Sequence, residues 1–421
     1  MAGKYNSALD PQAESKGASA TQYGLVFGMF ELTVFLVSPV VARLVAKVLD
    51  LYSFSSISFL LPQIGICKAF TGGLTTTVGG AACAGMILSL QGLMCISFGL
   101  LNKISNLTIF ISLSFLIRIV EAVGNSAFLS SSFTLVASQF PVSMATMFGV
   151  VEMSFGVGKI LGPRLGGPLY QLGGFTLPFT VLGGVLVVEA VLSRLTLPAM
   201  KEREEEEQDS GEFGLMRALK LPPVMLAVLS VFSGSVAVGA LQATLERHLA
   251  TFSLGQLQRG VILTLYGSSN SLLSPVWGWL SDRLSSTLII FTGSLLLGLA
   301  SLLLGLAPHY SLTAGSVTVA GAGLAALLVA AFKEAQTAAI DRGFPNTLRT
   351  FATISSIWTS TFALGAFVGP STAGALYDLV GFRWSTLFLV WWNAVVAGFS
   401  LTSLMLQRQR AVLRAQYERI A

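Results

Sequence analysis

Of the 421 residues, 53% are hydrophobic and 11% charged, whereas an ordinary soluble domain carries about 25% charged residues. Too few polar side chains remain to cover a water-facing surface, so most soluble folds are excluded and an all-α polytopic membrane protein is expected. The net charge of +5 comes without a dense basic patch interleaved with aromatics, so nucleic acid is not an expected partner.

Two histidines, and three cysteines (Cys67, Cys83, Cys95) without CxxC or metal spacing, leave little to build a zinc or triad enzyme from. No GxxxxGK[ST] loop occurs. The expectation is no enzyme, no cofactor and no metal.

Residues 1–21 are polar and lack an apolar h-region, so no cleavable signal peptide is expected. A spanning helix needs about 20 mostly apolar residues. Apolar runs occur at roughly 22–42, 73–99, 106–136, 143–166 and 175–196, then at 223–246, 259–280, 286–307, 311–338, 350–372 and 384–406. Five plus six gives eleven spans in two helical bundles, 22–196 and 223–406. They are joined by a charged linker (197–222) holding the run Lys201 to Gly211, and followed by a tail (407–421). Lys and Arg near the span ends number fifteen on the side of the linker and tail against seven opposite, which places the linker and C-terminus in the cytosol.

Two pairs of segments match between the halves. Ser38-Pro39 through Lys47 aligns with Ser274-Pro275 through Arg283, an offset of 236. Gly158-x-x-x-Gly162-Pro163-x-x-Gly166-Gly167-x-Leu-Tyr170 aligns with Gly365-x-x-x-Gly369-Pro370-x-x-Ala-Gly374-x-Leu-Tyr377, an offset of 207. The halves are therefore expected to be parallel repeats, as in transporters that rock two bundles around a central site. The 29-residue difference in offset marks an insertion at about 48–69. By the same symmetry the helix at 223–246 has no partner before residue 22, so the first helix of a twelve-helix protein is expected to be absent.

These motifs resemble the major facilitator superfamily. Gly278-Trp-Leu-Ser-Asp282-Arg283 is similar to its GxLxDR loop motif, whose Asp and Arg are implied to gate the cytosolic side. The first-half copy has Ala46 and Lys47 at those positions. The Gly158 to Gly167 segment resembles the fifth-helix signature associated with antiporters. Lys16-Gly-Ala-Ser19, Phe30-Glu31-Leu32, Glu152 and Thr244-Leu245 are similar to the vesicular amine transporter family, above all its polyamine branch. That family has an acid in its first helix that this chain does not show. Before the Thr-Leu pair it has another acid, where this chain has Gln242.

Ionisable groups inside spans are costly and by default mark pathways. Arg118 and Glu121, three apart, share a helix face and can pair, either structurally or as a gate. Glu31, Glu152 and Glu334 are candidate proton- or cation-binding carboxylates. Their alternative is a structural hydrogen bond. Lys159 and Lys333 are expected to snorkel towards the interface. Gln242 and Asn270 offer hydrogen bonds, and Tyr266 and Trp358 offer π faces to an amine. The expectation is a monomeric, proton-coupled antiporter of a small organic cation (amine or polyamine) in a vesicular or endosomal membrane. The competing readings are a non-transporting truncated isoform or scaffold, and a facilitator of a neutral or anionic solute with Arg118 as ligand.

Overall fold

The computed structural model describes residues 20–50, 78–196, 214–252 and 254–420. Among these described residues there is no strand, and every apolar run coincides with a helix. The first half gives α1 (Ala20–Asp50), α2 (Val78–Leu100), α3 (Leu107–Gln139), α4 (Met144–Gly173) and α5 (Thr176–Thr196). The second gives α6 (Leu215–Leu219), α7 (Pro222–Leu249), α8 (Gln256–Arg283), α9 (Ser286–Leu306), α10 (Tyr310–Asp341), α11 (Leu348–Val380) and α12 (Phe382–Ile420). Seven of these are long and apolar enough to cross a membrane.

Three boundaries refine the sequence reading. α1 runs on to Asp50, and the rest of the expected insertion, from Leu51, lies outside the described residues. Within the expected linker, α6 forms one short turn of helix before Pro222 starts α7. The expected tail continues α12 as helix to Ile420.

The internal repeat extends further in three dimensions than in sequence. α4 and α11 are each followed by a glycine in the left-handed region, Gly174 (φ 64°) and Gly381 (φ 85°), 207 positions apart. The Gly174 N–H donates to Tyr170 O at 2.8 Å and the Gly381 N–H to Tyr377 O at 3.0 Å. Glycine closes a helix this way because it lacks the Cβ that makes φ > 0 costly.

The chain forms two compact units, and each draws on both halves. Unit 1 comprises Met1–Ser138, Gly158–Phe213 and Asn346–Leu364; unit 2 comprises Gln139–Val157, Gly214–Pro345 and Gly365–Ala421. The boundary thus cuts α4 before Gly158 and α11 before Gly365, which are equivalent positions of the repeat.

Within unit 1, α2 and α5 pack closely because Gly92 faces Gly183. A Cβ on Gly92 would lie 2.7 Å from the Gly183 carbonyl oxygen. In unit 2, α9 packs against both α10 and α12, and α10 also lies against α7 and α8. Small residues permit this, a Cβ on Gly323 falling 2.7 Å from Leu297 N. Such close approach drives association where apolar burial distinguishes little between helix and lipid.

Prolines leave acceptors that neighbouring helices answer. Pro39 lies inside α1 and lacks the N–H that would bond Phe35 O. The Ser360 hydroxyl of α11 donates to that oxygen at 3.0 Å, within unit 1. One residue before the proline, Ser38 Oγ contacts Ser126 Oγ of α3 at 2.8 Å.

Candidate functional site

Unit 1 gathers charges on α1, α3 and α4. The expected i, i+3 pair forms, with Arg118 Nη1 2.8 Å from Glu121 Oε2. The guanidinium lies 4.4 Å from the Phe98 ring centroid and 5.1 Å from that of Phe27, and Phe98 packs on Phe179 behind it. Its Nε–H has no hydrogen-bond partner among the described residues. Glu121→Gln is expected to destabilise the protein by about 1–3 kcal/mol, because it strands a partly buried cation. The double variant Arg118→Met/Glu121→Leu should recover most of that loss. Heat inactivation of the detergent-solubilised chain measures both.

Glu31 sits half-buried on α1 beside Phe30, Thr33 and Val34, and among the described residues it makes no ion pair or hydrogen bond. Lys159 Nζ lies 6.0 Å above the Phe362 ring of α11. Phe362 stacks on Trp358 at 5.4 Å, and Trp358 meets Phe133 of α3 edge-on at 5.1 Å. An acid, an ammonium and a ladder of rings therefore share unit 1. A carboxylate and aromatic faces are the groups that attract a small organic cation.

Unit 2 holds the remaining candidates. Glu152 is buried on the first half of α4, whereas Gln242 on α7 is exposed. Asn270 of α8 is buried, and its Oδ1 lacks a partner among the described residues, as does the Tyr266 hydroxyl one turn earlier. Positions i and i+4 share a helix face, so these two buried polar atoms are suited to a ligand hydrogen bond.

The Asp282 carboxylate of the GxLxDR-like motif caps the start of α4. It accepts from Ala145 N at 3.1 Å, Thr146 N at 2.9 Å and Thr146 Oγ1 at 2.6 Å. The first backbone N–H groups of a helix have no intrahelical partner and carry the positive end of its dipole, so an anion there is stabilised. Glycines let the two helices meet: Gly278 abuts the Ala145 carbonyl and Gly149 the Ser274 carbonyl. The neighbouring Arg283 stacks on Trp279, with its guanidinium carbon 4.2 Å from the ring.

Lys333 departs from its expected snorkelling. Its Nζ lies 3.3 Å from Asp282 Oδ1 and donates to Ser281 O at 2.7 Å. The reason is that α10 is buried on nearly all sides, so the ammonium finds a carboxylate before it finds water. Glu334, next along α10, accepts a 3.2 Å hydrogen bond from Thr287 Oγ1, which in turn accepts from Gln407 Nε2 at 3.2 Å.

The two glycine–proline signatures differ. Gly365 abuts Ser235 of α7, Gly369 abuts Val236, and Pro370 packs on Gly239. A Cβ added at Gly158, Gly162, Gly166 or Gly167 would meet nothing within 4 Å among the described residues; Pro163 lies between them on α4.

One acid escaped the sequence reading. Glu189 of α5 is 4% exposed and its Oε1 has no partner among the described residues. A carboxylate inside an apolar run was the signal that marked Glu31, and it applied equally at 189. Among the described residues no three His, Cys, Asp or Glu side chains are grouped to hold a metal.

The family model described as the Major Facilitator Superfamily matches residues 2–256 and 224–419. The human MFS-type transporter SLC18B1 is 31% identical over 402 residues, covering 93% of this chain and 79% of that protein. The bovine synaptic vesicular amine transporter is 23% identical over 274 residues, 63% of this chain and 51% of that protein. Among solved structures, the human organic anion transporter MFSD10 (TETRAN) superposes with a TM-score of 0.61 at 17% identity, covering 93% of this chain and 88% of that one. A bacterial homologue of the iron transporter ferroportin gives 0.65 at 15%, covering 91% and 90%. At those identities the two structures bear on the fold alone.

Proposed function

The chain belongs to the major facilitator superfamily, and on that premise we propose that this multi-pass membrane transporter exchanges protons for a small organic cation of the amine class. The bovine relative named for vesicular amine transport supports the substrate class and a vesicular membrane. Alternating access through two helical bundles is the mechanism such repeats serve, and a cytosolic C-terminus follows from the Lys and Arg distribution.

The observation that carries the reading is Glu31. It is a carboxyl with no described partner, set in an apolar helix and sharing unit 1 with the Phe133, Trp358 and Phe362 rings. Such a group gains from holding either a proton or an ammonium, and the two compete for the same oxygens. Binding of a lumenal proton would release the amine, and loss of that proton to the cytosol would restore the anionic site.

Reconstituted vesicles with an acid interior are expected to accumulate a labelled monoamine. Glu31→Gln should reduce that accumulation at least tenfold, since a carboxamide neither carries the charge nor exchanges the proton. Glu334→Gln, which still offers an oxygen to Thr287, should retain more than half. Accumulation that survives in Glu31→Gln, or that ignores the pH gradient, would count against the proposal.

A further inference from the structure

In unit 2, α7 ends, α11 ends and α12 begins at one corner, and three side-chain contacts fasten it. Arg247 Nη2 of α7 lies 2.9 Å from Asp378 Oδ1 of α11. The same guanidinium sits 4.7 Å from the ring centroid of the neighbouring Tyr377. His248 lies flat on Phe382 of α12, with ring centroids 3.8 Å apart and planes 9° from parallel. Phe252 makes a T-shaped contact with the imidazole at 5.0 Å, and Tyr377 makes one with Phe382 at 6.1 Å. With linker and tail in the cytosol, this corner lies on the opposite, lumenal side.

His248 Nε2 is buried and has no hydrogen-bond partner among the described residues. A neutral imidazole can rest there as one ring in a stack of rings. An imidazolium donates from both nitrogens, so protonation places a charged N–H where no acceptor is described. Burying an unpaired charge costs far more than burying a neutral polar group, and a cation over a phenyl face recovers only part of that cost.

The surrounding charges give an imidazolium little support. Asp378 of α11 is engaged by Arg247, the residue before His248. Arg383 of α12 follows Phe382, and Arg259 near the start of α8 adds a third cation. Glu246 lies two residues earlier on α7, on the opposite side of the helix. Protons therefore favour an arrangement in which the ring has left the stack for water. They shift the balance by as much as the two arrangements differ in proton affinity. Histidine is the residue type whose charge ordinarily changes between about pH 5 and 8.

We propose that His248 is a proton-sensitive latch, which holds the lumenal ends of α7 and α12 together while stacked on Phe382 and releases them in acid. The inference goes beyond the amine-exchange reading and takes only its lumenal orientation from it. It gives the chain a response to lumenal pH separate from the Glu31 carboxyl.

Hydrogen exchange of the full chain in detergent reads local opening. It is followed by mass spectrometry at about pH 5.5 and 7.5, with exchange times scaled for the intrinsic pH dependence. In the wild type, amides at the end of α7 and the start of α12 are expected to open at least fivefold more at the lower pH, while those midway along α9 stay unchanged. His248→Phe, which keeps a flat ring and cannot take a proton, should hold that ratio below twofold. Arg247→Gln removes a different contact, so it should loosen the corner at both pH values and keep the fivefold ratio.

Equal opening at the two pH values in the wild type overturns the latch, as does a response that persists in His248→Phe. If the response is present but acid-interior vesicles accumulate no amine, the latch stands and the transport reading fails. If amine is accumulated while the corner ignores pH, the latch alone fails.

Discussion

Replacing Asp282 by alanine is expected to cost about 3–5 kcal/mol of stability, the range for removing one partner of a largely buried charge pair. Two losses combine. The start of α4 gives up three hydrogen bonds to one carboxylate, and Lys333 is left with Ser281 O as its acceptor. Both side chains are well covered, 10% exposed for Asp282 and 16% for Lys333, so water cannot take over either role. Transport should fall at least tenfold in the same variant, because the start of α4 loses the carboxylate that orders it.

A double variant isolates the ion pair. Asp282→Ala/Lys333→Met should be more stable than Asp282→Ala alone, since the stranded ammonium is gone. The remaining deficit reports the lost cap, and helix caps contribute about 0.5–2 kcal/mol. Heat inactivation of the wild type, Asp282→Ala, Lys333→Met and the double variant in one detergent gives the coupling directly. Additive single effects would mean that the lysine and the aspartate do not depend on each other.

The second large effect separates the two glycine signatures. A Cβ at position 369 would lie 2.6 Å from the Val236 carbonyl oxygen and 3.1 Å from its Cα. Those are backbone atoms, so α7 and α11 must move apart. Gly369→Ala is expected to cost about 1–3 kcal/mol, the range for overpacking a close contact, and Gly369→Leu more. At Gly162 the equivalent atom meets nothing within 4 Å among the described residues. Replacing a glycine inside a helix there gains about 0.5–1 kcal/mol from reduced chain entropy. Gly162→Ala should therefore be neutral or stabilising under the same heat challenge. Equal losses at 162 and 369 would show that both signatures are packing faces.

Much of the architecture was legible because spanning helices advertise themselves by length and apolar content. The run at 286–307, for example, became Ser286–Leu306, and the repeat predicted from two motifs reappeared in the paired glycines that end α4 and α11. Side-chain partners were less legible. Arg118 and Glu121 could be paired from spacing alone because both lie on one helix. Asp282 gave no hint that its partner was Thr146, 136 positions away on another helix.

Lys333 misled for a related reason. Periodicity locates an apolar stripe, but α10 is apolar nearly all round and offers no stripe to orient the lysine. Glu189 was overlooked where the rule used for Glu31 would have found it. The unequal packing of the Gly158 and Gly365 signatures could not be read from matching letters, since it depends on what faces each one.

The exchange of half-helices at Gly158 and Gly365 means that the seam left by duplication is not the seam of the folded molecule. A polypeptide cut between the repeats would yield two fragments that each lack a segment their own core is packed around. Neither repeat alone contains a complete compact unit, even though the sequence reads as two copies.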